Sequence, residues 1–339
     1  LVTGGTGYIG SHTVVSLIEQ GYDVVVVDNL SNSYKFIIEQ IKKITGKLPV
    51  FEKIDLCNKD LTDNLFRKYN FDAVIHFAAF KSVVESYNNP VKYYYNNINA
   101  LLNTIDSCQK YKCNNFVFSS SCTVYGQPDI IPVSEEYPVT KAKSPYGNTK
   151  IASEHIIEDV TIISDIKAIS LRYFNPVGAH HSALIGEIPT KVPDNLLPYI
   201  TQTAAGIRER LLVFGNDYNT ADGTCLRDYI HIMDLVNAHI KTLERLLNNK
   251  SAKYEIFNIG TGVPLSVLQI IEEFQETNKV ELNYKFVERR KGDVEAIWAN
   301  TEKAKNVLGW QPEYNIKDIV KSAWDWQLYL VKNIKLENI

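Results

Sequence analysis

The chain opens Leu1-Val2-Thr3-Gly4-Gly5-Thr6-Gly7-Tyr8-Ile9-Gly10 and continues with a helical pattern through Gln20 that stops at Gly21. Tyr22-Asp23-Val24-Val25-Val26-Val27-Asp28 follows, a continuous apolar run closed by an acid. Strand, glycine turn, helix and a second buried strand ending in a carboxylate form the pattern of a dinucleotide-binding unit. Gly4, Gly7 and Gly10 let the backbone approach a pyrophosphate, which sits on the helix N-terminus. Asp28 is placed to accept from the adenosine ribose hydroxyls and would repel a 2′-phosphate. No arginine follows in Asn29-Leu30-Ser31-Asn32-Ser33. The spacing therefore predicts NAD rather than NADP.

Working outward, the alternation continues. Pro49 to Ile54 reads as a strand with Asp55 at its tip, placed to meet the adenine. Ala73 to Ala79 reads as a fourth strand, with Lys81 just beyond it. Lys81 is either a solvated lysine or a site residue; His76 reads as a packed strand residue. A long helix is expected over Asn89 to Lys112, a fifth strand over Phe116 to Ser119 and a sixth over Lys167 to Leu171. Strands separated by helices, with motifs at strand C-termini, predict an α/β fold. Its centre is a doubly wound parallel sheet of Rossmann type.

The fifth strand ends in Ser119, Ser120 and Ser121. Downstream comes Ser144-Pro145-Tyr146-Gly147-Asn148-Thr149-Lys150, where Ser144 suits an N-cap and Pro145 the first helical position. Residues four apart share a helix face, so Tyr146 and Lys150 sit side by side. A free phenol, with a pKa of roughly 10, is a poor base at neutral pH. A lysine cation and a nicotinamide cation would both favour the phenolate. Tyr146 could then take a proton from a sugar or alcohol hydroxyl as hydride leaves the carbon, with Ser121 holding the substrate oxygen. A second Tyr-x-x-x-Lys, Tyr137 to Lys141, carries Pro138 in a polar loop, so a helical pairing is not expected there.

After Pro176 the style changes: shorter helices, longer loops, and Pro189, Pro193 and Pro198 as punctuation. This reads as a smaller C-terminal α/β part that takes the substrate. Residues 1–174 are assigned to the cofactor, with a returning segment near 228–258, and 175–339 to the substrate. Arg227-Asp228-Tyr229-Ile230-His231 and Phe257-Asn258-Ile259-Gly260 read as edge strands. Arg289-Arg290-Lys291-Gly292-Asp293 reads as a solvated loop on composition, and a phosphate-bearing substrate would give it work.

Composition narrows the classes. The chain has 339 residues with 45% apolar content, enough for a full core. No run of 18 apolar residues exists, so no membrane span is expected. No signal peptide is visible, and the chain opens inside a strand, so residues ahead of Leu1 are expected. A net charge of −3 argues against a general nucleic-acid or anionic-membrane surface. Five scattered cysteines, Cys57, Cys108, Cys113, Cys122 and Cys225, lack metal spacing. They read as reduced thiols of a cytoplasmic protein, with no metal site.

Taken together, these stretches resemble the UDP-glucose 4-epimerases, which are extended short-chain dehydrogenases/reductases, over essentially the whole chain. The residues that carry the resemblance are Thr3 to His12, Asp28 to Ser33, Ser119 to Gly126, Arg172 to Pro176, Arg227 to His231 and Arg289 to Asp293. It implies NAD contacts by Tyr8, Ile9, Asp28, Asn29, Asn32, Ser33, Asp55, Leu56, Phe77, Lys81, Asn96, Tyr146, Lys150 and Tyr173. It implies Ser121, Tyr146 and Lys150 as the catalytic residues. Lys81, Thr123, Asn175, Asn195, Leu196, Phe214, Arg227, Tyr229, Arg290 and Asp293 would hold the UDP-sugar. Ile297 falls where members carry tyrosine or cysteine, near the sugar's C2 substituent. The family is usually a homodimer, paired through the helices that begin near Asn89 and Ser144. Cys122, Ala79-Phe80 and Ala100 depart from the usual alanine, glycine-leucine and glycine.

The resemblance implies reversible interconversion of UDP-galactose and UDP-glucose through a transient 4-keto sugar, with NAD tightly held. One rival is a nucleotide-sugar 4,6-dehydratase or decarboxylase on the same fold. Those relatives carry an acid just before the Val-Tyr-Gly of this motif, where Cys122 and Thr123 stand here. The other is a non-catalytic NAD-binding sensor or scaffold; such proteins lose the tyrosine or lysine that this chain keeps.

Overall fold

The computed structural model describes residues 1–290 and 293–334, so Lys291 and Gly292 of the cationic stretch lie outside it. The first half runs β1 (Val2–Thr3), α1 (Tyr8–Glu19), β2 (Val25–Asp28), α2 (Phe36–Thr45), β3 (Val50–Lys53), α3 (Lys59–Lys68) and β4 (Val74–His76). It continues with α4 (Val83–Asn88), α5 (Pro90–Lys110), β5 (Asn115–Ser119), α6 (Pro145–Ile163) and β6 (Lys167–Tyr173). The second half contains β7 (Asn175–Val177), α7 (Leu196–Ala204), β8 (Leu211–Phe214), β9 (Leu226–His231), α8 (Ile232–Leu247) and β10 (Tyr254–Ile259). It closes with β11 (Pro264–Ser266), α9 (Val267–Asn278), β12 (Tyr284–Val287), β13 (Ala296–Ile297) and α10 (Ile316–Asn333).

Seven parallel strands form the main sheet in the order β10-β6-β5-β4-β1-β2-β3. Side chains on a strand alternate between faces. Val117 accordingly joins a core with Val14 and Leu17 of α1 and Leu235 and Ile240 of α8. Its neighbours Phe116 and Phe118 join the opposite core, with Leu101 and Ile105 of α5 and Ile157 of α6. Helices cover both faces, as the buried apolar strands required. The chain order reverses between β1 and β4, and at that switch point the strand C-termini open a crevice.

The seventh strand returns from the second half: α8 packs beside α1, and β10 pairs with β6 from Tyr254↔Ala168 to Ile259↔Tyr173. Residues 254–259 are an edge, as expected. Residues 226–231 are not. β9 is the centre of a second sheet: β11 and β13 both pair with its first half, at Leu226 and Arg227, and β7 pairs with its buried second half, Tyr229 to His231. Other boundaries also differ. β2 starts at Val25, β6 runs on to Tyr173, and a short α4 capped by Ser82 precedes the long helix. Among the described residues no helix is long and apolar enough to cross a membrane.

Candidate active site

The glycine turn is forced by close packing. A Cβ on Gly10 would lie 2.2 Å from the Gly4 carbonyl oxygen. Gly4 itself has φ +67°, and its Cβ would press to 2.9 Å against the Ala78 amide. Gly7 caps α1 without a side chain, so the first N–H groups of that helix face the cleft unshielded. Asp28 is fixed beside this turn. Its Oδ1 accepts from Leu30 N and Ser33 Oγ at 2.9 Å each, and its Oδ2 accepts from Thr6 N at 3.3 Å. These features fit a dinucleotide: backbone and a helix end for the diphosphate, a carboxylate for a ribose diol. Among the described residues, no arginine lines this end of the cleft.

Every residue expected to meet the cofactor lines this one open cleft of about 1190 Å³, solvent at its mouth included. Gly4, Gly7, Tyr8, Ile9, Gly10, Asp28, Asn29, Asn32 and Ser33 form one end, with Asp55, Leu56 and Asn96 beside them. Phe77, Lys81, Tyr146, Lys150 and Tyr173 form the other. Asn97 was not singled out from sequence, yet it ties this end together. It accepts from Phe80 N at 2.8 Å and donates to Phe80 O and Thr149 Oγ1 at 3.1 Å each, linking the loop after β4 to α6. His76 is a packed residue, bonded to Thr3 Oγ1 at 3.0 Å and stacked on Phe116 and Phe118.

The serine tip and α6 meet as expected. Ser144 Oγ accepts from Gly147 N at 3.1 Å, which starts α6 after Pro145. Lys150 Nζ lies 5.9 Å from the centre of the Tyr146 ring and donates to Ser119 O at 2.6 Å. Ser119 Oγ and Tyr173 Oη are 2.5 Å apart. Ser121 Oγ accepts from Thr123 Oγ1 at 3.0 Å, which leaves its own proton for the Tyr146 phenol or a substrate oxygen. Ser120 turns inward and donates to Glu154, which holds Arg172 in a buried ion pair at 2.6 Å.

The electrostatics differ from the expectation in one respect. Burial dominates both partners. It pushes the Tyr146 phenol up, with the neighbouring Tyr173 adding to this and the Ser121 hydroxyl pulling back. Burial also brings the Lys150 ammonium down to about 7, against a smaller opposite push from Glu154. Lys150 spends its hydrogen bond on the Ser119 carbonyl, because α6 aims it past the tyrosine ring at the strand end.

Beyond the cleft, the remaining candidates stand on the second sheet, at the end of β8, at the start of α7 and in the segment after β12. Arg290 forks onto Asp293 at 3.2 and 3.1 Å, and its guanidinium lies 5.4 Å from the centre of the Phe214 ring. Arg227 reaches the same carboxylate at 3.9 Å. Asn175 pairs with buried Tyr229 in register. Ile297 pairs with Arg227 across β13 and β9, packed in a cluster with Val124, Phe174 and Ala299. Asn195 and Leu196 begin α7. Arg289 does not join: it pairs with Asp217 instead. Gly186, Glu187 and Ile188 line the cleft from the far side and carried no sequence signal. Among the described residues, no group of three or more His, Cys, Asp or Glu is placed to hold a metal ion.

This geometry recurs in known proteins. The chain is 45% identical to the UDP-glucose 4-epimerase of Bacillus subtilis (strain 168) over 336 residues, 99% of this chain and 98% of that one. It superposes with TM-score 0.94 on the UDP-glucose 4-epimerase of Stenotrophomonas maltophila with bound NAD and formylated UDP-arabinopyranose, at 43% identity and 98% coverage of both chains. The enzyme from Bifidobacterium longum in complex with NAD+ and UDP gives 0.92 at 39% identity, again over 98% of both. The chain belongs to the UDP-glucose 4-epimerase family. A family model described as GDP-mannose 4,6 dehydratase also matches residues 1–323. Elimination calls for a general acid, which dehydratases are expected from the resemblance to carry just before Val124-Tyr125-Gly126. In this epimerase-family site the positions hold Cys122, whose thiol burial pushes up to about 12, and Thr123.

Proposed function

We infer that this chain is an NAD-dependent UDP-glucose 4-epimerase that interconverts UDP-galactose and UDP-glucose. One observation carries the reading. A Tyr146–Lys150–Ser121 group stands at one end of a dinucleotide cleft, and Cys122 and Thr123, rather than a carboxylate, follow Ser121 in the chain. Tyr146 takes the proton of the sugar's C4 hydroxyl, and Ser121 holds that oxygen through its O–H. The nicotinamide, when bound, supplies the acceptor and then the donor of the C4 hydride. Arg227 and Arg290 grip the diphosphate while the 4-keto sugar turns, and Tyr146 returns the proton. Proton and hydride both come back, so the reaction is redox-neutral and the cofactor need not leave.

Burial opposes the phenolate that Tyr146 must become. Positive charge works the other way: that of Lys150, and that which an oxidised nicotinamide would add when bound. On the same reading, 1–174 with the return near 228–258 serves the cofactor, and 175–339 serves the UDP-sugar. The protein is assigned to the cytoplasm as a homodimer. Pairing through α5 and α6 is supported by Val91, Tyr95 and Leu102, apolar or aromatic side chains that stand exposed along α5.

Incubation of purified protein with UDP-galactose, followed by separation of the sugar nucleotides, tests the activity. UDP-glucose is the expected product. A 4-keto-6-deoxy or pentose product would end the epimerase reading.

A further inference from the structure

Glu187 belongs to neither the expected cofactor set nor the expected substrate set, yet it touches both. Its Oε1 accepts from Lys81 Nζ at 2.7 Å and from Asn195 Nδ2 at 2.8 Å. Lys81 stands on the cofactor wall just past β4, and Asn195 is the N-cap of α7. The carboxylate is 11% exposed, while its lysine partner is 56% exposed. It is therefore the carboxylate that is built in and the lysine that comes to it.

The backbone under Glu187 is anchored. Trp326 Nε1 donates to its carbonyl at 3.0 Å. A Cβ on Gly186 would lie 2.3 Å from the Trp326 ring, so this glycine lets the chain lie flat on α10. The charge also reaches into the cleft. The Tyr8 phenol is pushed up by burial first and by Glu187 second.

Asn195 shows what this arrangement does. An N-cap asparagine ordinarily accepts from its helix's own N–H groups. Asn195 makes no such cap bond, and its amide donates to Glu187 instead. The Nδ2 bond ties the start of α7 to the carboxylate that also holds Lys81.

We propose that Glu187 is a positioning residue that couples the cofactor cleft to the UDP-sugar site by holding Lys81 and Asn195 on one carboxylate oxygen. The proposal rests on the epimerase reading for the names of the two ligands. Hydride transfer requires the two ligands to be held in a near-attack geometry. A shared partner for one residue from each side is a physical route for that spacing to be kept. Two ligands that bias one shared element affect each other's binding reciprocally, by factors typically of ~5–150.

The test follows exchange of bound NAD against radiolabelled NAD, with and without saturating UDP. In wild-type protein, UDP is expected to slow the exchange about 5-fold or more. In Glu187→Gln the exchange with and without UDP should agree within about 2-fold. Slowing by UDP that survives in Glu187→Gln, or that is absent in wild type, overturns the proposal. If Glu187→Gln does not fold or does not hold NAD, Asn195→Ala decides. It removes one arm of the bridge and leaves the Lys81–Glu187 pair, and intact slowing there overturns the proposal equally. A wild type that shows the coupling but does not epimerise UDP-galactose would refute the reading of the activity and leave the coupling standing.

Discussion

Lys150→Met should make the protein more stable while making it inactive. Lys150 is only 4% exposed, and burial holds its ammonium near 7 rather than 10.5. The folded state therefore resists the charge that the unfolded chain accepts freely. At ~1.4 kcal/mol per pH unit, that difference amounts to a penalty on the order of 4–5 kcal/mol when the lysine is charged in both states. The folded pKa lies below the unfolded one. The penalty is thus full below pH 7 and is relieved as pH rises from 7 towards 10.5, where the unfolded chain binds the extra proton. Methionine removes the charge but loses the 2.6 Å bond to Ser119 O, which offsets about 1–3 kcal/mol.

The balance is a variant more stable than wild type by about 2–3 kcal/mol at pH 6. That advantage should shrink by about 2–3 kcal/mol by pH 9. Equilibrium urea unfolding of both proteins, stripped of nucleotide so that bound cofactor does not contribute, measures this at pH 6, 7.5 and 9. A variant no more stable than wild type at pH 6, or a gap that does not move with pH, would refute the reasoning. Epimerase activity should fall by more than ~100-fold at every pH.

Tyr146→Phe should lower turnover about 10²–10⁴-fold with UDP binding retained, while Tyr137→Phe, in the loop that bonds Asp129, should leave turnover within a few-fold. Turnover by Tyr146→Phe near wild type would rule it out as the base. Acid extraction of protein purified without added nucleotide should release NAD+ or NADH, since Asp28 faces the ribose end with no arginine there; recovery of NADP would contradict this. Ile297, 4% exposed opposite Arg227, should restrict UDP-N-acetylgalactosamine by ~1–3 kcal/mol of overlap, or one to two decades of rate. Ile297→Cys should then raise kcat/KM for that substrate selectively and Ile297→Tyr should lower it; a ratio of the two substrates that stays flat means the side chain is core and no gate. Light scattering on a sizing column should give twice the chain mass of 38.5 kDa, and Tyr95→Glu on exposed α5 should give the monomer; a monomeric wild type at micromolar concentration refutes the pairing.

What could be read from the sequence is what chemistry keeps local. The turn from Gly4 to Gly10 must be glycine because its own backbone crosses within 2.2 Å of a would-be Cβ. Tyr146 and Lys150 share a face because a helix repeats near every four residues, and Ser144 with Pro145 fixes where that helix begins. Helix spacing puts Lys150 beside the tyrosine, but the direction of its ammonium depends on the Ser119 carbonyl, which belongs to β5. The centrality of β9 is hidden for the same reason: a short mixed run such as Leu226 to His231 does not say how many neighbours it will have.

The arginine stretch makes the limit concrete. Arg289 and Arg290 are adjacent and chemically identical, and composition treats them alike. In the fold one is taken by Asp217 at the surface, and the other is turned to Asp293, Arg227 and Phe214 at the site. Glu187 is the stronger case. Its bond to Lys81 spans 106 residues, and nothing near it in the chain marks it out. A charged residue acquires its role from the partner that tertiary packing presents. A partner held that far away in sequence leaves no periodicity, cap or spacing to find. The residues expected at the cofactor could therefore be named through motif and resemblance, and the fold brings them to one cleft. A residue that acts by holding two of them together becomes visible only when both walls of the cleft are in place.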